Sequence, residues 1–138
     1  MKNLLFSIFC IFLFGSAGAF AQQIGSLQDL IDFATDVNNG TITTGNYELR
    51  ADIGDQNNPF TMIIGDDGHN FFRGNFNGNG HTIYVVIDGT ANPNHNQEYV
   101  GLFSKIEGII DSLVVAGSIT GGDRSNYVGG VCGRLDSG

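Results

Sequence analysis

The sequence predicts an all-β chain, a β-solenoid of short stacked strands with one capping helix ahead of it. Three observations predict it. Glycine fills 21 of 138 positions, against a usual share of about 7%. It stands between short β-branched runs, the pattern of many strands joined by tight turns. A single helical pattern precedes every strand pattern. Two strand segments then repeat, with Tyr99 and Tyr127 placed 28 positions apart, inside the roughly 20–50-residue periods of repeat architectures.

The first residues are not part of that fold. Residues 1–21 read as a secretory signal peptide, with basic Lys2, the apolar run Leu4 to Phe14, and the A-x-A site Ala19-Phe20-Ala21. The apolar run is short of the roughly 20 residues of a membrane helix. Cys10 sits inside it as one of its apolar residues. The expected organisation is a signal peptide over 1–21, an N-terminal capping-helix region over 22–45, and a β-helix over 46–138 that stops inside its second repeat.

Composition excludes several partners. The chain carries a formal charge of −8, and loses one more positive group with Lys2. An acidic domain lacks the basic footprint of a nucleic-acid binder and the polybasic patch that holds anionic lipid. No membrane insertion is expected after signal cleavage. Cys132 is then the only cysteine, so no internal disulfide can form. In Val131-Cys132-Gly133 it reads as a small buried hydrophobe. Stacked aliphatic side chains, each contributing roughly 1.5–3 kcal/mol when buried, must replace the disulfides usual in exported domains.

The helix is predicted over Leu27 to Asn38. Ser26 fits the cap position, with Asp29 three residues on as a shorter form of the usual Glu. Leu27, Leu30, Ile31, Ala34 and Val37 share one face. Asn38-Asn39-Gly40 supplies a left-handed stop. Leu27, Leu30 and Ile31 are expected to seal the first coil.

After Gly45 the period becomes two. Tyr47, Leu49, Ala51 and Ile53 alternate with Glu48, Arg50 and Asp52, a half-buried strand. Further strands are expected at Thr61 to Ile64, His81 to Ile87, Val100 to Ile106, Ile109 to Ile119 and Tyr127 to Leu135. The segment from Tyr99 to Gly108 echoes that from Tyr127 to Gly138. Tyrosine, basic residue, apolar residue, acid and closing glycine recur in order.

GNFNGNGHTI (74–83), YVGLFSKI (99–106), IDSLVVAGSITGG (110–122) and YVGGVCGRL (127–135) together resemble the GLUG-motif proteins. The likeness extends over the lead-in helix and NYELRADI (46–53), nearly all of the chain beyond the leader. Such repeats occur in bacterial surface and secreted proteins, including some immunoglobulin A-cleaving metallopeptidases. The resemblance implies a right-handed parallel β-helix, usually a non-catalytic part of a longer chain. It carries no peptidase activity to this sequence, because no residue here matches the metal motif of those enzymes.

RGNFNGNGHTI (73–83) raises other possibilities, and its residues decide among them. A phosphate loop needs a Lys-Ser/Thr ending, which Gly78-Asn79-Gly80-His81 lacks. A dinucleotide turn opens a helix, and a β-branched run follows instead. An EF-hand needs alternating acids and a closing Glu. Turn chemistry remains, with Asn77-Gly78 as hairpin or corner and Phe76 as an inward anchor.

Candidate chemistry is sparse. His69, His81 and His95 have no metal spacing. Asp52, Asp55, Asp66 and Asp67 are weak candidates for Ca²⁺, against the plainer reading that Asp and Gly make turns. No other cofactor is expected. The polar stretch from Asp88 to Glu98, with Asn92, His95 and Asn96, is the best place to look for a partner contact, since solenoid insertions often form binding faces, against the plainer reading of a disordered bulge.

The expected function is a non-catalytic secreted or cell-surface module, structural or adhesin-like. Its partners would be a surface ligand, a glycan, further domains of the same protein, or a second copy through edge-to-edge association. The alternatives are a β-helix polysaccharide lyase or hydrolase, or the N-terminal part of a larger surface peptidase. A lyase would use aromatics such as Phe71, Phe72, Tyr84 and Tyr99 and a convergent set of acids and bases. Arg50, Arg73, Lys105, Arg124 and Arg134 show no such convergence in the sequence, nor do Asp88, Glu107 and Asp111.

Overall fold

The helical period begins where Ser26 can cap it, and the computed structural model places α1 at Leu27–Asn38. The structure describes residues 20–66, 68–90 and 98–136; the apolar run of the expected signal peptide lies outside them. Ser26 Oγ accepts the Asp29 N–H at 3.1 Å. Asp29 reaches back one residue beyond the cap, accepting the Gly25 N–H at 3.0 Å. The left-handed stop is Gly40 alone, at φ 73°. Asn38 has a different task. Its side chain accepts the Gly65 N–H at 2.6 Å and donates to the Ile63 carbonyl at 3.1 Å, tying the helix end to a later segment.

The strands are short and all their pairings are parallel. β1 (Gln22–Ile24), β2 (Asn46–Leu49), β3 (Asn75–Asn77) and β7 (Ile109–Asp111) form one sheet in that order. β4 (Thr82–Asp88) pairs with β8 (Val114–Thr120), β5 (Tyr99–Val100) with β9 (Tyr127–Val128), and β6 (Phe103–Ile106) with β10 (Cys132–Leu135). Parallel neighbours need a crossover of roughly a dozen residues or more. Between β1 and β2 the crossover is α1, and from β3 onward the crossovers are strands of the other sheets. The chain visits the four sheets as β3, β4, β5, β6, then again in the same order as β7, β8, β9, β10. Single parallel bridges from Ile53 to Ile83, Phe60 to Val85, Ile64 to Phe103 and Phe72 to Ile106 place an earlier pass beneath these.

This circuit shortens the expected strands. The 46–53 strand ends at Leu49, and Ile53 re-enters as one bridge to the sheet of β4. Thr61 to Ile64 is not a strand, because Phe60 bridges to β4 and Ile64 to β6, so the run between them turns a corner. The three later runs each divide in two at corners, at Gly101-Leu102, at Ser112-Leu113 and at residues 129–131. β1 and β3 have no alternation long enough to read, being three residues each.

RGNFNGNG contains β3 itself. Phe76 is 1% exposed and anchors inward as expected. The hairpin reading fails, since every pairing is parallel, and the corner falls later, at Asn79 (φ 51°) and Gly80 (φ 79°). Asn77 Oδ1 steadies it by accepting the Asn79 N–H at 2.8 Å. Gly78 is glycine for closeness, since a Cβ there would lie 2.5 Å from Leu113 Cα.

The core runs through the middle of the circuit. From α1 it takes Leu30, Phe33, Ala34 and Val37, while Leu27 and Ile31 are only partly buried. The buried part of the helix therefore sits further along it than Leu27 to Ile31. Phe33 is its centre, with ring centroids 4.5 Å from Tyr47, 5.3 Å from Phe72 and 5.8 Å from Phe76. Phe103 extends the cluster, 5.5 Å from Phe76. Tilted and edge-on rings of this kind contribute about 0.5–1.5 kcal/mol per pair beyond burial.

Candidate functional site

The strand register brings together residues that the sequence scatters. Phe72 bridges to Ile106, and Ile106 pairs with Leu135. Alternation then sets two rows beside them, one of Phe71, Lys105 and Arg134, the other of Arg73, Glu107 and Asp136. Half of the six basic residues of an acidic chain meet here.

The rows are cross-linked in a zigzag. Arg73 Nε lies 3.0 Å from Glu107 Oε2, and Lys105 Nζ lies 3.3 Å from Glu107 Oε1. Lys105 Nζ also reaches Asp136 Oδ2 at 2.7 Å, and Asp136 accepts from Arg134 Nε. Arg134 Nη1 donates to the Tyr99 hydroxyl at 2.9 Å. The Arg73 guanidinium and the Lys105 ammonium sit over the Phe71 ring, 4.0 and 4.2 Å from its centre, close enough for cation–π attraction. An open recess of about 580 Å³ lies alongside, lined by Arg73, Asn75, Glu107, Ile109, Leu135 and Asp136.

The electrostatics follow from these contacts. The Lys105 hydrogen bond, then the Arg134 one, hold the Asp136 carboxyl below its ordinary value. Asp136 in turn raises Lys105, and the Tyr99 hydroxyl heads the causes that raise Arg134. A lysine held more firmly protonated is no general base at neutral pH, and a depressed carboxyl is no proton donor there.

The aromatics named for sugar stacking are placed elsewhere. Phe72 and Tyr99 are in the core, Phe71 lies beneath its two cations, and only Tyr84 is partly exposed.

The candidate Ca²⁺ residues are each engaged locally. Asp52 Oδ1 accepts the Thr82 N–H at 2.9 Å and lies 3.3 Å from His81 Nδ1, contacts that lower its pKa in that order. Asp55 Oδ1 accepts from the Asn57 and Asn58 amides at 2.7 and 3.0 Å. Asp66 Oδ1 accepts from those of Gly68 and Asn70 at 2.8 and 3.0 Å. Asp67 lies outside the described residues. Among the described residues, no three His, Cys, Asp or Glu side chains gather in a metal-sized group.

In the partner loop, Asp88 ends β4 and accepts the Thr90 N–H and hydroxyl, the latter at 2.6 Å and the larger cause of its lowered pKa. Glu98 lies beside Asn126, whose Nδ2 donates to it at 3.4 Å. Asn92, His95 and Asn96 lie outside the described residues. Cys132 packs half-buried against the core edge, and burial raises its thiol pKa.

The charged zigzag is what the sequence reading missed. Its signal was present in Lys105-Ile106-Glu107 and Arg134-Leu135-Asp136, basic, apolar and acidic in both copies. No family model matches the chain, and no curated protein or solved structure matches it either.

Proposed function

We propose that this chain is a non-catalytic, secreted or cell-surface β-helical module, structural or adhesin-like in role. The observation that carries the reading is the twice-repeated order of sheets, β3-β4-β5-β6 and β7-β8-β9-β10, with every ladder parallel. A chain that returns to each sheet one strand further on builds a stacked coil. Parallel crossovers within a sheet are right-handed in about 98% of cases, which agrees with the hand implied by the GLUG resemblance. Export is supported by the leader-like pattern of 1–21 and by β1 starting at Gln22, directly after the expected cleavage point. Such a rod would space or present other parts of the same protein, or offer a face to a surface ligand or glycan.

One observation favours a second reading, a carbohydrate-active enzyme. The recess beside Arg73, Glu107 and Asp136 gathers acids and cations on one outer face. Against it stand the mutual neutralisation of Lys105 and Asp136 and the burial of three of the four candidate aromatics. Among the described residues, every carboxyl whose pKa is displaced is displaced downward.

The test has two parts. Mass spectrometry of the exported product identifies its first residue, expected to be Gln22. The full chain is then assayed against polyuronates and neutral glycans for cleavage and for binding. Binding without turnover, or neither, agrees with the module. Sustained turnover abolished by Glu107→Gln would replace it with the enzyme.

A further inference from the structure

The chain enters its fold at Gln22. Phe20 stands almost wholly in solvent, at 97% exposure, and β1 begins two residues later. On the export reading above, on which this inference rests, cleavage after Ala21 leaves Gln22 with a free α-amine. Gln22 is exposed. A glutamine in that place carries a nucleophile and its own electrophile. Its α-nitrogen and its side-chain Cδ can close a small ring, and an intramolecular attack avoids the entropic cost of bringing two molecules together.

We propose that Gln22 of the exported chain is converted to pyroglutamate, a modification that blocks the end of β1. The lone pair of the free α-amine attacks Cδ. The N–Cδ bond forms, the Cδ–Nε2 bond breaks, and Nε2 leaves as ammonia with one proton from the α-amine. No oxidant, reductant or other co-reactant is needed. The fold accepts the product. The lactam nitrogen keeps one N–H and the main-chain carbonyl of Gln22 is untouched, so its pairing with Tyr47 needs no change. The Gln22 side chain hydrogen-bonds the Tyr47 hydroxyl. A hydroxyl is donor and acceptor alike, so it can turn to the oxygen that the lactam keeps.

What the block protects is visible in β1. The strand is three residues long, Gln22–Ile24, and all three pair with β2. Ile24 is 2% exposed, and its carbonyl accepts the Arg50 N–H at 2.9 Å. Gly25 follows, donating to the helix-capping Asp29 at 3.0 Å. Proteolysis concentrates at chain termini. An aminopeptidase working inward from a free amine would strip the whole strand and reach a core residue at its third cut. The lactam offers no α-amine for such an enzyme to hold. Gln23 stands next in line, so loss of Gln22 exposes a second glutamine to the same closure.

The test is the intact mass of the exported product, with tandem mass spectrometry of its first peptide. A chain starting at Gln22 and lighter by one ammonia is expected. The synthetic peptide QQIGSLQDL (22–30), carried through the same handling, should stay open. A double variant, Gln22→Ala with Gln23→Ala, should keep an open amine and an unchanged circular dichroism spectrum. A broad-specificity aminopeptidase should shorten that variant through residue 24 and spare the cyclised chain. A chain starting at Gln22 with a free amine overturns the proposal and leaves the export reading standing. A chain starting at another residue overturns both. Closure of the synthetic peptide to the same extent assigns the lactam to handling and overturns the proposal. Equal resistance of the double variant overturns the protective role.

Discussion

Tyr127 stacks on Tyr99 with ring centroids 5.3 Å apart and planes 25° from parallel. The two residues pair directly in the β5–β9 ladder. An echo 28 residues long in the sequence is therefore one step of stacking in space. The two rings are not equivalent, since Tyr99 is 7% exposed and Tyr127 51%. Tyr99→Ala is expected to lower stability by about 3 kcal/mol through a lost buried ring and a lost stack. Tyr127→Ala should lower it by about 1 kcal/mol. Urea unfolding followed by circular dichroism measures both, and equal losses would show that the stack is not between two unlike layers.

The charged zigzag has a pH window. Asp136 is depressed by Lys105 and then Arg134, so it stabilises the fold above the ordinary Asp value of about 3.9. That contribution is lost as the pH falls through its lower folded value. Lys105 is raised, chiefly by Asp136, so its contribution is complete below about 10.4 and is lost as the pH rises through its higher folded value. The network should thus support the fold between about pH 4 and pH 10. Asp136→Asn should flatten part of the acid decline in urea midpoint and part of the alkaline one. Asp29, Glu48, Asp52 and Asp88, also depressed, should preserve the rest of the acid decline.

Two glycines of GNFNGNG should respond differently to alanine. At Gly78 a Cβ would lie 2.5 Å from both Leu113 Cα and the Ser112 carbonyl oxygen, backbone that cannot yield without moving β8 away. At Gly80 nothing stands within 4 Å, and only the φ of 79° opposes a side chain. Gly80→Ala should lower stability by about 1–2 kcal/mol. Gly78→Ala should lower it by more, or prevent folding, as read from thermal melts of the two variants. The reverse order would show that the corner is held by conformation and not by closeness.

The helix packs on the core through Phe33. Phe33→Ala removes a 4%-exposed ring that touches Tyr47, Phe72 and Phe76, and should lower stability by about 3–5 kcal/mol. Ser26→Ala removes the bond to the Asp29 amide and the hydroxyl contact to the Asp29 carboxyl, and should lower it by about 1 kcal/mol. Hydrogen exchange at the amides of α1 separates the two effects. The cap variant should accelerate exchange in the first turn, and the Phe33 variant along the whole helix.

Calcium should leave the melting temperature unchanged, because Asp55 and Asp66 already accept two backbone N–H groups each. A rise on adding millimolar Ca²⁺, reversed by a chelator, would show these carboxylates exchanging their turns for an ion.

The sequence by itself determined the parts whose cause is local. The bounds of α1 at Leu27 and Asn38 follow from Ser26, from an apolar stripe and from Gly40. Inward Phe76, the short strands and the 28-residue echo are equally legible, because alternation and glycine act within a few residues. Tertiary structure alone decided the register. It split Ile109 to Ile119 at Ser112, gave Thr61 to Ile64 a corner in place of a strand, and made Phe33 the centre of the aromatic cluster. It also joined Arg73, Glu107, Lys105, Asp136 and Arg134 into one network across three passes of the chain. The reason is that a parallel ladder sets its partners by the length of each whole circuit. The separations run from 25 residues at Phe60 and Val85 to 39 at Ile64 and Phe103. No pattern within one strand carries that length.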